Sequence, residues 1–235
     1  MKVYACYDNK DYEYRWNTIL KFGQSWDVIG TVIMKNPGSA KPERKVGDSL
    51  SEILTKKFDE HEQVSGTWYH FGPDITMRCI ERLFKKYYES DNLNGVIRVF
   101  NLCNVINANY KGLLVELKKC EVDRSLAYTT DFDVENITAP TYIGWGQAWK
   151  KDFKERCKPY FKKACEEEYT ILDDDIKSNP FYHPLYLMNY GGPKTKCIVE
   201  KFVKKRNLVL VSWIGTRANY FCSVKGLEVK IILKS

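Results

Sequence analysis

The chain has 235 residues, a formal net charge of +7, and 44% hydrophobic and 14% aromatic content. That suits one packed domain and excludes a low-complexity chain, while the modest basic excess permits a polyanionic partner without demanding one. No apolar run is long enough to span a bilayer and no signal pattern opens the chain, so a cytoplasmic protein with no membrane partner is expected.

Eight cysteines are scattered with no two separated by two residues, and only three histidines occur (His61, His70 and His183). Neither zinc-finger nor iron–sulfur spacing is present. The thiols read as reduced core residues, and neither metal nor cofactor is expected.

In chain order, Lys2–Tyr7 and Tyr12–Leu20 read as strands around the turn-prone Asp8-Asn9-Lys10-Asp11. They form an N-terminal hairpin extension over residues 1–22. Residues 28–34 are a short apolar run without polar alternation, the pattern of a strand buried on both faces. The run ends in Asn36-Pro37-Gly38-Ser39, where proline fixes φ and glycine admits a positive φ.

Residues 41–48 read as a polar loop. A helix follows, with the capping-box spacing of Ser49 and Glu52 and an apolar face of Leu50, Ile53, Leu54 and Phe58. The Trp68-Tyr69-His70-Phe71 stretch between glycines reads as an ordered loop. Asp74 stands as N-cap of a helix to about Glu89, with Ile75, Cys79, Leu83 and Tyr87 on one face.

Gly95–Phe100 is a second buried strand, exiting into Asn101-Leu102-Cys103-Asn104, and Tyr110–Cys120 reads as a helix. The acidic stretch 121–138 carries no clear pattern. Ala139–Gly144 is a third strand running into Trp145-Gly146 and a basic helix with Trp149, Phe153 and Cys157 on one face; Pro159 then opens a new segment. A fourth strand is expected at Tyr169–Leu172, followed by a loop that carries His183-Pro184-Leu185-Tyr186. Residues 194–206 read as a basic helix, including Lys194 and Lys196, and three β-like stretches follow to the end as a C-terminal extension over 194–235.

The alternation of strand and helix predicts one domain over 1–235. Its core would be a three-layer α/β/α arrangement around a central, mainly parallel four-stranded sheet. In such a sheet ligands sit at the carboxyl ends of the strands, where the Asn36, Asn101, Trp145-Gly146 and His183 segments would meet.

In this order, Asn36-Pro37-Gly38, the strand from Gly95-Val96 to Asn101, Trp145-Gly146 and His183-Pro184 resemble the blocks of the uracil-DNA glycosylase superfamily, over roughly residues 28 to 190. The Asn-Pro-Gly is that of its mismatch-specific branch. The chain is similar, closer still, to an uncharacterised bacterial family with Asn-Pro-Ser, Asp-Pro-Thr, Trp-Gly and His-Pro-Leu-Tyr blocks. Asp74-Ile75-Thr76, with Arg78 following, stands at the second of these. The chain departs from the superfamily in four ways, the first being that it lacks the iron–sulfur cysteines of some branches. Asn36 stands where the most active branch has an acid, the strand ending at Asn101 is one residue longer, and His183 is followed by Pro-Leu-Tyr.

The resemblance implies a DNA glycosylase that flips a base from duplex DNA and hydrolyses its N-glycosidic bond. The base would be a damaged or modified pyrimidine, and the activity would serve base excision or defence against phage with modified DNA. It implies Asn36 and His183 as catalytic residues, with Pro37, Gly38, Ser39, Phe71, Asn101, Asn104 and Tyr186 around the substrate. Leu185, Lys194 and Lys196 would contact DNA, and a monomer is expected. Two other readings stay open: a non-catalytic DNA or modified-base binding module on the same fold, and an N-glycosidase for free nucleosides or nucleotides. Bland readings stand beside each residue: Asn36 as a turn cap, the asparagines after the second strand as satisfiers of loop backbone, Asp74 as a helix cap, and the basic helix as a solvated face.

Overall fold

A computed structural model describes residues 1–58, 66–107, 109–119, 123–150, 153–166, 176, 181–189, 196 and 198–203. Within these residues the chain builds seven strands: β1 (Lys2–Asp8), β2 (Tyr14–Phe22), β3 (Val28–Met34), β4 (Pro42–Lys45), β5 (Thr67–Phe71), β6 (Gly95–Asn101) and β7 (Thr141–Ile143). They form one sheet in the order β4-β5-β1-β2-β6-β3-β7. Only β6, β3 and β7 run parallel, and every other pairing is antiparallel. The expected four-stranded, mainly parallel sheet is therefore corrected to a mixed, mostly antiparallel one of seven strands.

The difference begins with the N-terminal hairpin. It is no extension: β2 pairs along β6, which puts it at the centre of the sheet. All nine residues of β2 are buried, including Arg15, Asn17, Thr18 and Lys21. The aromatic stretch expected as a loop is β5, paired with β1, and half of the expected polar loop is the edge strand β4.

Helices α1 (Asp48–Phe58), α2 (Ile75–Tyr88), α3 (Tyr110–Glu116), α4 (Arg124–Ala127), α5 (Thr130–Glu135), α6 (Lys154–Glu166) and α7 (Pro184–Asn189) complete the described chain, with a further helical stretch over 198–203. Apolar side chains alternate between two clusters. Ile33, Val96 and Phe100 join α1, α3 and α6 residues such as Leu54, Leu113 and Tyr160. Val32, Met34, Ile97 and Val99 join Ile80, Leu83 and Phe84 of α2, Leu187 of α7, and Phe202.

Asp74 caps α2 as expected, its Oδ1 accepting from the Met77 N–H at 2.8 Å. Ile53 turns outward from α1, leaving Leu54 and Phe58 as its buried residues. Pro159 lies inside α6 rather than starting a segment. The acidic stretch holds α4 and α5. The expected strand at Tyr169–Leu172 and the C-terminal β stretches lie outside the described residues. Among the described residues no helix is long and apolar enough to cross a membrane.

Candidate functional site

The parallel register fixes the site's frame. Met34 pairs with Asn101 and Ile33 with Ile143, so β3, β6 and β7 end along one edge. β2 runs antiparallel to β6, which brings its first residues, Tyr14 and Arg15, to the same edge. The His183 segment is docked there too. The Gly146 N–H donates to the Phe181 carbonyl at 2.7 Å and the Tyr142 hydroxyl to the Tyr182 carbonyl at 2.5 Å. Gly144 accommodates Pro184: a Cβ built on it would meet Pro184 Cδ at 2.9 Å. The four segments read from the sequence as strand exits thus converge.

Asn36 is half-buried, and its Nδ2 donates to the Asn107 carbonyl at 2.8 Å. That bond fixes the amide's orientation and leaves Oδ1 as its acceptor. Asn107 is itself held, its Nδ2 on Glu116 at 3.1 Å and its Oδ1 accepting from the Asn109 N–H at 2.7 Å. Beyond Asn36 the chain crosses from β3 towards β4 at the far edge of the sheet, with Pro37 buried, Gly38 at φ +58° and Ser39 exposed. A side chain at Gly38 would have Asp74 Oδ2, at 3.9 Å, as its nearest atom within 4 Å, so this turn faces open space.

Arg15 holds the crossing from beneath. Its Nη2 donates to the Pro37 carbonyl and its Nη1 to the Ala40 carbonyl, both at 3.1 Å, and its guanidinium lies 5.2 Å from the Phe71 ring centre. Burial lowers its pKa to about 10, against the opposing pull of Asp74, so it stays charged at neutral pH. Beyond the loop, Lys41 pairs with Glu13, holding that carboxyl below its ordinary range.

His183 caps α7. Its Nδ1 accepts from the Leu185 N–H at 3.2 Å, and its carbonyl takes the Tyr186 N–H at 2.9 Å. Burial first, and then Lys35, lower its pKa, with Asp74 partly opposing them. The ring is therefore neutral at pH 7, and with Nδ1 accepting, the proton sits on Nε2, an available donor. Tyr186 is 55% exposed, edge-on to the imidazole at 6.3 Å between ring centres, and Leu185 is half-buried beside it.

Asn101 is buried at the end of β6, and its Oδ1 has no hydrogen-bond donor. Buried polar atoms of β2 are likewise unpaired, Arg15 Nε and Thr18 Oγ1 among them. Of these, only Asn101 Oδ1 and Arg15 Nε belong to residues at the strand edge described above, where a bond from water would satisfy them. Asn104 is already spent in the fold, its Nδ2 donating to the Leu126 carbonyl at 3.1 Å and to Thr129 Oγ1 at 2.9 Å. Phe71 is only 3% exposed and carries the Arg15 cation over its ring. Lys196 is exposed, and Lys194 lies outside the described residues. Among the described residues no group of histidine, cysteine and acidic side chains is placed to hold a metal ion.

Reading the sequence alone missed Arg15, Lys35 and Asn107 as parts of this edge. The signal for Arg15 was its place between two aromatic residues, Tyr14 and Trp16. No family model, curated protein or solved structure matches the chain.

Proposed function

We propose that the chain is a DNA glycosylase that hydrolyses the N-glycosidic bond of a flipped, damaged or modified pyrimidine, on a three-layer α/β/α core of the uracil-DNA glycosylase kind. One observation carries the reading: a neutral His183 whose free Nε2–H belongs to the same strand edge as an amide, Asn36, whose orientation is fixed.

The reaction asks little covalent help of the protein. The bond from C1′ to the base nitrogen breaks, its electron pair leaving with the base, while the sugar passes through an oxocarbenium-like state. Water adds its oxygen to C1′ and gives up a proton. Asn36 Oδ1 accepts a hydrogen bond from that water and orients it. His183 Nε2–H donates to a base oxygen as negative charge develops there, which lowers the barrier without full proton transfer. The unpaired Asn101 Oδ1 offers an acceptor to a base N–H, the edge on which pyrimidines differ. Tyr186, exposed beside His183, supplies an apolar surface for the duplex gap left by flipping.

The test is base release from duplex and single-stranded oligonucleotides bearing uracil, thymine mismatches, or hydroxymethylated and glucosylated cytosine, read as alkali cleavage at the abasic site. Cleavage is expected on at least one substrate, reduced about a hundredfold by Asn36→Ala and by His183→Ala, the usual scale for losing one positioned polar group. As pH drops His183 takes up a second proton at Nδ1, which breaks the bond from the Leu185 N–H that orients the ring, and the rate falls with that orientation. Salt-sensitive DNA binding without an abasic product would replace this reading with a binding module. Turnover of free nucleosides alone would replace it with a small-molecule N-glycosidase.

A further inference from the structure

Asp74 has two carboxylate oxygens with separate fates. Oδ1 is committed to the N-cap of α2 through the Met77 N–H at 2.8 Å. Oδ2 lies 3.9 Å from the point a Cβ would take on Gly38, the open turn two residues beyond Asn36. The carboxylate is also within electrostatic reach of Arg15, which grips both ends of that turn, and of His183. An almost wholly buried guanidinium with an unpaired Nε sits beneath the turn, and the acid stands on its open side.

We infer that Asp74 Oδ2 is the catalytic carboxylate of this site, taking the part that an amide at position 36 cannot take. The inference rests on the glycosidase reading. An amide oxygen orients water but neither accepts its proton nor carries the full charge that steadies a sugar cation. A carboxylate does both. As the base departs with the bonding pair and C1′ becomes cationic, Asp74 faces that charge. It then takes the proton released when the water oxygen bonds to C1′, and returns it to solvent. The departing base anion, held by His183, is protonated from water. One water is consumed and the products are the free base and a sugar hydroxyl, so atoms and charge balance. The helix cap fixes the carboxylate through Oδ1 and leaves the other oxygen for chemistry, which is why the acid can come from α2 rather than from the strand loop.

Asp74→Asn and Asp74→Ser decide it, because asparagine and serine cap helices as well as aspartate does. Both variants are expected to keep the melting temperature and the DNA affinity of the wild type while base release falls about a hundredfold. Wild-type rates in both variants, with Asn36→Ala still impaired, would reduce Asp74 to a cap and overturn the inference while the glycosidase reading stands. A wild-type protein that releases no base from any substrate overturns both. A loss of melting temperature matching the loss of rate in both variants would assign Asp74 to folding alone.

Discussion

Replacing Arg15 by alanine is expected to cost about 3–5 kcal/mol of stability, the range found when a buried, bonded charge is removed from its partners. The melting temperature should fall by roughly 10 °C for a chain of this size. The guanidinium is almost wholly buried, and its two bonds to the Pro37 and Ala40 carbonyls are what ties the crossing loop to the sheet. Alanine leaves both carbonyls unpaired and a void against Phe71. Arg15→Met separates the two contributions. It refills the volume and removes a cation whose burial is itself costly, as its lowered pKa shows. Methionine should recover much of the lost stability, yet it cannot hold the loop, so base release should stay depressed about tenfold or more through misplacement of Asn36. Arg15→Lys keeps a charge but not the two-pronged geometry, and should fall between them. Thermal unfolding with base release on the same samples checks all three. Arg15→Met with normal activity would show that the loop does not need this clamp.

Why the clamp was not legible beforehand follows from the topology. A single arginine among Tyr14, Trp16 and Ile19 reads as the polar step of a half-exposed strand. It is buried because β2 lies between β1 and β6 with apolar side chains above and below. That pairing joins segments some eighty residues apart along the chain, and no local pattern records it. The two β3 and β6 runs were legible because strands buried on both faces lack polar alternation. The α2 cap was legible because Asp74 precedes a regular apolar face. β5 was not: Thr67–Phe71 is short, lies between Gly66 and Gly72, and carries a polar histidine, so it resembled a loop. Of the site, Asn36 and Asn101 could be placed on one edge from the exits of β3 and β6 alone, whereas His183 is held there by the Phe181 and Tyr182 carbonyls, which no pattern records. The bonds that set their chemistry could not: Asn107 to Asn36, and Leu185 to His183, depend on how loops fold back, and loop geometry is not written in periodicity.

Asp133→Asn is expected to remove a pH dependence of stability that the wild type shows between about pH 4 and pH 7. Asp133, in the acidic stretch whose sequence showed no pattern, is only 2% exposed. Burial raises its pKa to about 7, against the Tyr160 and Thr129 hydrogen bonds and the nearby Arg98, which pull it down. Because the folded value lies above the unfolded one, the stabilisation is complete below the ordinary carboxylate range near 3.8 and is lost as pH rises through about 7. A proton held that much more tightly in the folded chain than in the unfolded one sets an upper bound of about 4 kcal/mol on the loss.

The hydrogen bonds show what the proton does. The Tyr160 oxygen is 2.7 Å from Asp133 Oδ2 and 3.3 Å from the Asn101 carbonyl, but its one hydrogen can serve only one of them well. A protonated Asp133 donates to Tyr160, which frees the tyrosine hydrogen for Asn101. An ionised Asp133 takes that hydrogen for itself and leaves the carbonyl at the end of β6 without it. Asparagine keeps the neutral arrangement at every pH, its Nδ2 donating to Tyr160. Urea unfolding at about pH 4.5, 6 and 8 should therefore show wild-type stability falling relative to Asp133→Asn as pH rises. The variant should be the more stable protein by a few kcal/mol at the top of the range. Carboxylates held low, such as Glu13 and Asp123, give the opposite slope, but they are common to both proteins and cancel in the difference. A difference that does not change with pH would mean that Asp133 does not hold its proton in the folded protein. A tyrosine hydrogen bond to Asn101 that persists above pH 7 would break the link between this buried acid and the strand end that carries the candidate site.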